Sequence, residues 1–339
     1  MNLTIKTPAK INLFLEITEK RPDGYHNLES IMQTVGLCDE LSFEPAEKDI
    51  ALSVIGSGRN PGSPVIPEIH GRESAVNSIA SLPTEQNIVF KAAKALKENF
   101  NVQKGIKITL KKNIPSGAGL GGGSSDAAAT VNALVKLWGI KAEKSELNKI
   151  ASKLGADVPF FLTGGTALCE GIGDIVSPLA GRSGELRVKS ENKYAAAGGI
   201  ENSAEQSDVA GSALRASNFK LNAVLVNPGF GVPTPSVYKK VKLPFTNTRK
   251  IDKIKNLIEK GSFNAESAKE VCFNRLEDFV FGDYPEIKKI KDILASLGCA
   301  SLMSGSGATV FGIYDKPVEQ KIKAGLEKHN WNFWFTETI

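Results

Sequence analysis

Apolar and polar residues alternate near the start of the chain, in LTIKTPAKINLFLEIT. Side chains of an extended strand repeat every two residues, so alternation of this kind predicts a strand with two unlike faces. The apolar face carries Ile11, Leu13, Leu15 and Ile17, and the polar face carries Lys10, Asn12 and Glu16. The segment RPDGYHNLES follows, and its proline and glycine predict a turn.

Apolar residues recur at helical spacing further along the chain. The pattern predicts helices in 87–100, 126–138, 145–154, 250–260, 264–280, 285–297 and 317–328. Strand patterns lie between them, as in KGIKITLKKNIP, NAVLVNP, SLMSGSGATVFGIYD and WNFWFT. Because strands and helices mix in both halves, we expect an α+β fold. A chain of 339 residues is long for one core, and we place two domains at 1–170 and 171–339.

Two segments interrupt these patterns. Residues 56–82 are rich in Gly, Pro and Ser, and residues 181–218 are polar and rich in Ser, Ala and Gly. Compositions of this kind lack the apolar residues that a packed core requires. We interpret both segments as surface excursions.

Composition narrows the class of protein. The net charge of +5 comes from 42 basic and 37 acidic residues that are spread along the chain. A nucleic-acid interface would have a denser basic cluster with aromatic residues among it, so no nucleic acid is expected as a partner. No run reaches the ~18 apolar residues of a membrane-spanning helix, and no secretory apolar region opens the chain. The four cysteines have no metal-ligand spacing, and we expect reduced thiols in a cytoplasmic protein.

The segment PSGAGLGGGSSDAAA, residues 115–129, is the strongest candidate for chemistry. Its glycines and serines let the backbone approach a ligand closely, and its alanines open a helix. The residues of this loop that we expect to bind a nucleotide are Pro115, Ser116, Gly117, Ala118, Gly119, Leu120, Gly121, Gly122, Gly123, Ser124 and Ser125.

Several interpretations of this loop compete. Residues 117–122 fit the dinucleotide pattern G-x-G-x-x-G, but Glu143, the acid at the right distance, lies at a predicted helix start. A Walker A loop would need lysine where Gly123 stands. The third interpretation is a loop that binds phosphates through backbone N–H groups and a helix N-terminus, with Ser124, Ser125 and Asp126 able to cap that helix. A linker or a cap without a ligand is the structural alternative.

The glycine loop resembles the ATP-binding signature of the GHMP kinases. Other segments agree in the order of that family, namely PAKINLFLEI, RPDGYHNLES, LGADVPFFLTGGTALCEGIGD, NPGFGVPTPSVY and SGSGATVFGIY. The resemblance implies a two-domain fold, with an N-terminal domain like the second domain of ribosomal protein S5 and a ferredoxin-like C-terminal domain. It is strongest to the kinases that phosphorylate a hydroxyl of a diphosphocytidyl sugar alcohol.

The resemblance also implies roles for individual residues. Asp157 would be the base, and Lys10 would keep that carboxylate ionised and favour a developing alkoxide. Substrate would be bound by Asn12, Tyr25, His26, Thr234 and Tyr238. Asn87 and Lys112 would border the nucleoside of ATP. Mg²⁺ is expected with ATP, although the sequence marks no acidic ligand for it.

Three other functions stay open at this stage. Another GHMP kinase, such as a homoserine or mevalonate kinase, would not need the aromatic residues of YH and PTPSVY. A second is a non-catalytic nucleotide-binding protein. Such a protein would not need Lys10 and Asp157, so the presence of both residues argues against it. A dinucleotide-dependent oxidoreductase would bind NADH rather than ATP. We expect a small-molecule substrate, no membrane, and a monomer or weak homodimer.

Overall fold

A computed structural model describes residues 2–56, 84–179, 220–244 and 249–339. The strands are β1 (Leu3–Lys20), β2 (His26–Ala46), β3 (Ile50–Gly56), β4 (Gly105–Lys112), β5 (Thr166–Glu170), β6 (Ile175–Pro178), β7 (Asn222–Asn227), β8 (Phe273–Asn274), β9 (Ala300–Met303), β10 (Val310–Tyr314) and β11 (Asn332–Glu337). The α-helices are α1 (Ile88–Asn99), α2 (Gly122–Trp138), α3 (Lys144–Leu154), α4 (Val158–Thr163), α5 (Thr234–Tyr238), α6 (Asp252–Glu259), α7 (Ala265–Val271), α8 (Glu277–Val280), α9 (Pro285–Ser296) and α10 (Glu319–Leu326). The α+β class is confirmed.

The first sheet has the strand order β3-β4-β2-β1-β8, with β5 on β2 and β6 on β5. β1 and β2 form a long antiparallel pair, which is interrupted by register shifts at Pro8/Ala9 and Asn12/Phe14. Helices α1 to α4 contribute to one core against this sheet. Its buried members include Phe43, Leu96, Ile108, Val131 and Phe160.

The second sheet is antiparallel, with the order β11-β7-β10-β9. Helices α9 and α10 contribute Ile287 and Ile322 to its core. A third group of buried residues joins the two sheets, since Ile11 and Leu13 of β1 share it with Leu225 of β7. The two sheets are therefore held together by continuous apolar packing.

β1 differs from its predicted character, because its polar face is also buried. Lys10, Asn12 and Glu16 have at most 4% of their surface exposed. Glu16 binds Arg275 through two hydrogen bonds of 2.7 and 2.8 Å, and Arg275 follows directly after β8. The second half of the chain thus covers the face that alternation alone would leave in water.

The strand β8 explains two further differences. It pairs in parallel with β1 and divides the predicted helix 264–280 into α7 and α8. It also places Phe273–Asn274 in the first sheet, and β6 of that sheet ends at Pro178. A division of the chain after residue 170 therefore does not separate the two sheets. The two predicted excursions lie outside the described residues, apart from Gly56 at the end of β3.

Candidate active site

The glycine loop joins β4 to α2. Gly117, Gly119 and Gly121 all have positive φ angles, of 62°, 75° and 68°, which glycine adopts without strain. α2 begins at Gly122, four residues before the predicted start, and its N-cap Gly121 offers no side chain. The predicted caps by Ser124, Ser125 and Asp126 are therefore wrong. Without a side-chain cap, N–H groups of the first turn stay available to an anion.

The turn between β9 and β10 packs directly on the glycine loop. The Ser304 hydroxyl donates to the Gly119 carbonyl at 2.9 Å, and the Thr309 N–H donates to the Ala118 carbonyl at 3.1 Å. A Cβ on Gly119 would lie 2.1 Å from the Ser304 carbonyl oxygen. Gly119 therefore allows a contact between the two loops that no other residue would permit.

The Lys10 side chain lies where these loops meet. Its Nζ is 3.5 Å from Asp157 Oδ2 and donates to Asn12 Oδ1 at 2.6 Å. Cβ atoms on Gly121 and Gly305 would lie 3.0 Å from Lys10 Cγ and 3.4 Å from Lys10 Nζ. The structure thus brings together the two residues predicted to be catalytic.

Asn12 connects Lys10 to β2. Its Nδ2 donates to Ser30 Oγ at 2.9 Å, and the Ser30 hydroxyl donates to the Phe14 carbonyl at 2.7 Å. Asn12 and Ser30 are completely buried. Asn12 was predicted to bind substrate, whereas this geometry supports a role in holding the Lys10 ammonium. Ser30 was missed, because one serine in the apolar pattern of β2 carries no distinguishing signal.

Asp157 precedes α4 and is not used as a helix cap. Its side chain is 30% exposed, in contrast to the buried Lys10. A Cβ on Gly173, after β5, would lie 3.8 Å from Asp157 Oδ1, so the β5–β6 turn borders the same carboxylate. The carboxylate is accessible from solvent beside the buried Lys10 ammonium, so it is open to an approaching hydroxyl group, as a general base must be.

Asn87 and Lys112, which were predicted to border the nucleoside, both bind other groups of the protein. Asn87 caps α1, since its Oδ1 accepts a hydrogen bond from the Val89 N–H at 2.9 Å. Lys112 is 5% exposed, and its ammonium binds Asp39 and Asp126. The prediction that the Lys112 side chain contacts ATP is therefore wrong, because two carboxylates already bind its ammonium group.

The other four residues predicted to bind substrate divide into two neighbouring rings and two exposed side chains. The His26 and Tyr238 rings have centroids 5.6 Å apart, whereas Tyr25 is 62% exposed. Thr234 is exposed, and its hydroxyl is 2.7 Å from that of Ser306 in the turn between β9 and β10.

The ring of His26 is the unusual feature of this group. It is 6% exposed, and neither ring nitrogen has a hydrogen-bond partner among the described residues. Burial lowers the pKa of His26, and the charge of Lys20 lowers it further, so the ring is neutral at pH 7. Burial also raises the pKa of Tyr238, and the Asp157 carboxylate adds to that rise. An unpartnered neutral imidazole offers one donor and one acceptor to a ligand.

Asn274 was also missed by sequence reasoning. Its Nδ2 donates to the carbonyls of Met303 and Gly305 at 2.7 and 2.8 Å, and its Oδ1 accepts from the Leu276 N–H. It therefore fixes the turn that packs on the glycine loop. The segment CFNRLED that contains it has no glycine or catalytic pattern to mark it.

The structure gives no separate metal centre in the parts of the chain that it describes. No cluster of three or more His, Cys, Asp or Glu residues there is arranged to hold a metal ion. Among the same residues, every helix is too short or too polar to span a bilayer.

Comparisons with known proteins find similar families, sequences and structures. The family described as GHMP kinases N terminal domain matches residues 87–165, and GHMP kinases C terminal matches residues 250–331. A 4-diphosphocytidyl-2-C-methyl-D-erythritol kinase of Syntrophus aciditrophicus (strain SB) is 38% identical, covering 95% of this chain and 92% of the relative. One with the same name from Geobacillus thermodenitrificans (strain NG80-2) is 33% identical, covering 96% and 93%. A crystal structure of 4-(cytidine 5'-diphospho)-2C-methyl-D-erythritol kinase superposes with a TM-score of 0.67 at 28% identity, covering 99% of both chains.

The contact at Gly119 yields a first prediction. Gly119→Ala would force the glycine loop away from Ser304, because its Cβ meets a backbone carbonyl that cannot rotate aside. We expect turnover with ATP to fall by about 100-fold, as misplacement of reacting groups by about 1 Å costs that much. Steady-state kinetics with varied ATP would measure it.

Gly139→Ala is the matched control for this variant. Gly139 ends α2 with a φ of 67°, but its Cβ would meet nothing within 4 Å. It carries the same backbone strain without the loop contact, so it should lose stability but retain turnover. Equal losses of turnover in the two variants would contradict the importance of the loop contact.

Proposed function

The chain belongs to the GHMP kinase family, and we propose that it transfers the γ-phosphoryl group of ATP to the 2-hydroxyl of 4-diphosphocytidyl-2-C-methyl-D-erythritol. The reaction would serve the non-mevalonate route to isoprenoid precursors. The observation that carries this proposal is the pair formed by Lys10 and Asp157 at the junction of the two loops. The names of relatives that share nearly the whole chain support the choice of substrate.

The proposed chemistry begins with the Asp157 carboxylate. It accepts the proton of the substrate hydroxyl as that oxygen attacks the terminal phosphorus atom of ATP. Lys10 holds a positive charge 3.5 Å from this carboxylate. The same charge stabilises negative charge on the attacking oxygen as it develops. Asn12 and Ser30 fix the ammonium in this position.

The glycine loop supplies the other half of the site. Its backbone N–H groups and the N-terminus of α2 bind the phosphates, since both direct positive partial charge at them. Mg²⁺ bound with ATP would neutralise phosphate charge. The Ser124 hydroxyl and the Asp157 carboxylate are oxygen donors of this chain that would suit it.

We assign recognition of the cytosine ring to His26 and its aromatic neighbours. A nitrogen of the His26 ring, unpartnered within the protein, suits a donor or an acceptor on the edge of a cytosine ring. Tyr238 lies beside this ring, and the exposed Tyr25 would close over the base on binding. Smaller substrates such as homoserine or mevalonate would leave these groups unused.

We further propose that the protein works in the cytoplasm, as a monomer or weak homodimer. All four cysteines, Cys38, Cys169, Cys272 and Cys299, are free thiols. Free thiols of this kind suit a reducing compartment.

A coupled assay of ADP release with Mg²⁺ and ATP tests the proposed function. The cytidyl substrate is offered beside mevalonate, phosphomevalonate, homoserine and galactose. We expect selective turnover of the cytidyl compound. Turnover of another compound in the panel would retain the kinase but overturn the assignment of the pocket. ATP binding without any turnover would favour a non-catalytic protein, and NADH binding without ATP binding would favour an oxidoreductase.

His26→Phe tests the assignment of the cytosine pocket. The variant keeps an aromatic ring but removes both nitrogens, so it loses a hydrogen bond to the base. We expect KM for the cytidyl substrate to rise about tenfold, the equivalent of one good hydrogen bond, while KM for ATP stays constant. Tyr25→Phe is the control, because it keeps the stacking surface of an exposed ring. A KM for the cytidyl substrate that is unchanged in His26→Phe would refute the assignment.

A further inference from the structure

A buried ionic cluster lies against the glycine loop. It consists of Asp39 on β2, Lys112 at the end of β4, Asp126 on α2 and Thr7 on β1. Each of these residues is at most 5% exposed. Their side-chain hydrogen bonds are to one another and to Asn113 and Ile114, and the proposed chemistry does not use them.

The cluster binds the segment that connects β4 to the glycine loop. Asp39 Oδ1 accepts hydrogen bonds from the backbone N–H groups of Asn113 and Ile114, at 2.5 and 2.7 Å. Asn113 Nδ2 donates to the Cys38 carbonyl at 2.9 Å. These three bonds fix the two residues that directly precede Pro115, the first residue of the loop.

The cluster also binds α2, the helix that follows the glycine loop. Asp126 accepts from the Thr7 hydroxyl at 2.6 Å and from Lys112 Nζ at 2.9 Å. The Lys112 ammonium binds Asp39 at the same time, so one side chain joins the two ends. A Cβ on Gly122 would lie 3.3 Å from Asp39 Oδ2 and 2.9 Å from Ile114 Cγ2, so the N-terminus of α2 rests directly on the cluster.

The electrostatics of this arrangement are costly. Two carboxylates share one ammonium in a buried position, and burial followed by the nearby Asp39 charge raises the pKa of Asp126 to about 7. Burial alone would lower the pKa of Lys112, but the two carboxylates raise it. Apolar residues of the same volume would often stabilise a fold as well as such a cluster does. Its value therefore lies in the geometry that it imposes.

We propose that Asp39, Lys112 and Asp126 are positioning residues for the ATP phosphates. They hold the two ends of the glycine loop so that the loop N–H groups and the N-terminus of α2 converge on one anion. The proposal rests on the proposed function in requiring ATP as the ligand. It gives Lys112 an indirect role in place of a contact with the nucleoside.

Asp126→Asn tests this proposal, because the amide keeps the shape of the carboxylate and can still accept from Thr7. We expect KM for ATP, and Kd for ATP measured by calorimetry without the second substrate, to rise about tenfold. KM for the cytidyl substrate should stay within about twofold, since His26 lies against Tyr238 and none of the hydrogen bonds of the cluster involves either residue. The melting temperature is recorded for each variant.

Glu16→Gln is the matched control. Glu16 is another buried carboxylate. It pairs with Arg275, and its hydrogen bonds do not involve the glycine loop. Its loss should lower the melting temperature but leave Kd for ATP unchanged. If Asp126→Asn lowers only the melting temperature and leaves Kd for ATP within about twofold, the cluster is merely structural and the proposal is overturned.

Thr7→Val provides a second variant if Asp126→Asn does not fold. It removes one hydrogen bond to Asp126 and leaves all three charges in place. We expect Kd for ATP to rise about threefold, and an unchanged Kd would overturn the proposal. ATP binding by the unaltered protein is measured first, so a failure of the proposed function itself would be seen there and not in the variants.

Discussion

The burial of the Lys10 ammonium is the constraint on which the site depends. A cation that is 4% exposed must be paired, because an unpaired buried charge is very costly. Asn12 and Asp157 meet this need, and Asp157 meets it while keeping its own carboxylate open to solvent. The contact with Asp157 that stabilises the buried Lys10 ammonium therefore also places a cation beside the proposed base.

The rest of the molecule supports this placement from both sides. The first sheet and its helices provide Lys10, Asp157 and the glycine loop, whereas the second sheet provides the turn that closes on that loop. The strand β8 and the ion pair between Glu16 and Arg275 tie the two parts together. Glycine occurs where the loops meet because the contacts leave no space for a side chain. Apolar packing sets the overall arrangement, and backbone contacts set the final distances.

The sequence predicted the fold class, the glycine loop and the pairing of Lys10 with Asp157. Those features depend on local patterns and on a resemblance that extends along the whole chain. It did not predict the burial of the polar face of β1, because alternation cannot show what a distant segment will cover. It misplaced Lys112 for the same reason, since Asp39 lies 73 residues earlier and becomes a neighbour only through β-sheet pairing. Ser30 and Asn274 act through a few side-chain hydrogen bonds, which leave no pattern in a sequence.

A rapid-quench measurement of phosphoryl transfer by Asp157→Asn tests the central claim most directly. The amide keeps the size of the side chain but cannot accept the proton of the substrate hydroxyl. The account predicts that this variant binds ATP and the cytidyl substrate with nearly unchanged affinity, yet forms almost no product in a single turnover. Product formation at a rate near that of the unaltered protein would contradict the role of Asp157 and the mechanism built on its contact with Lys10.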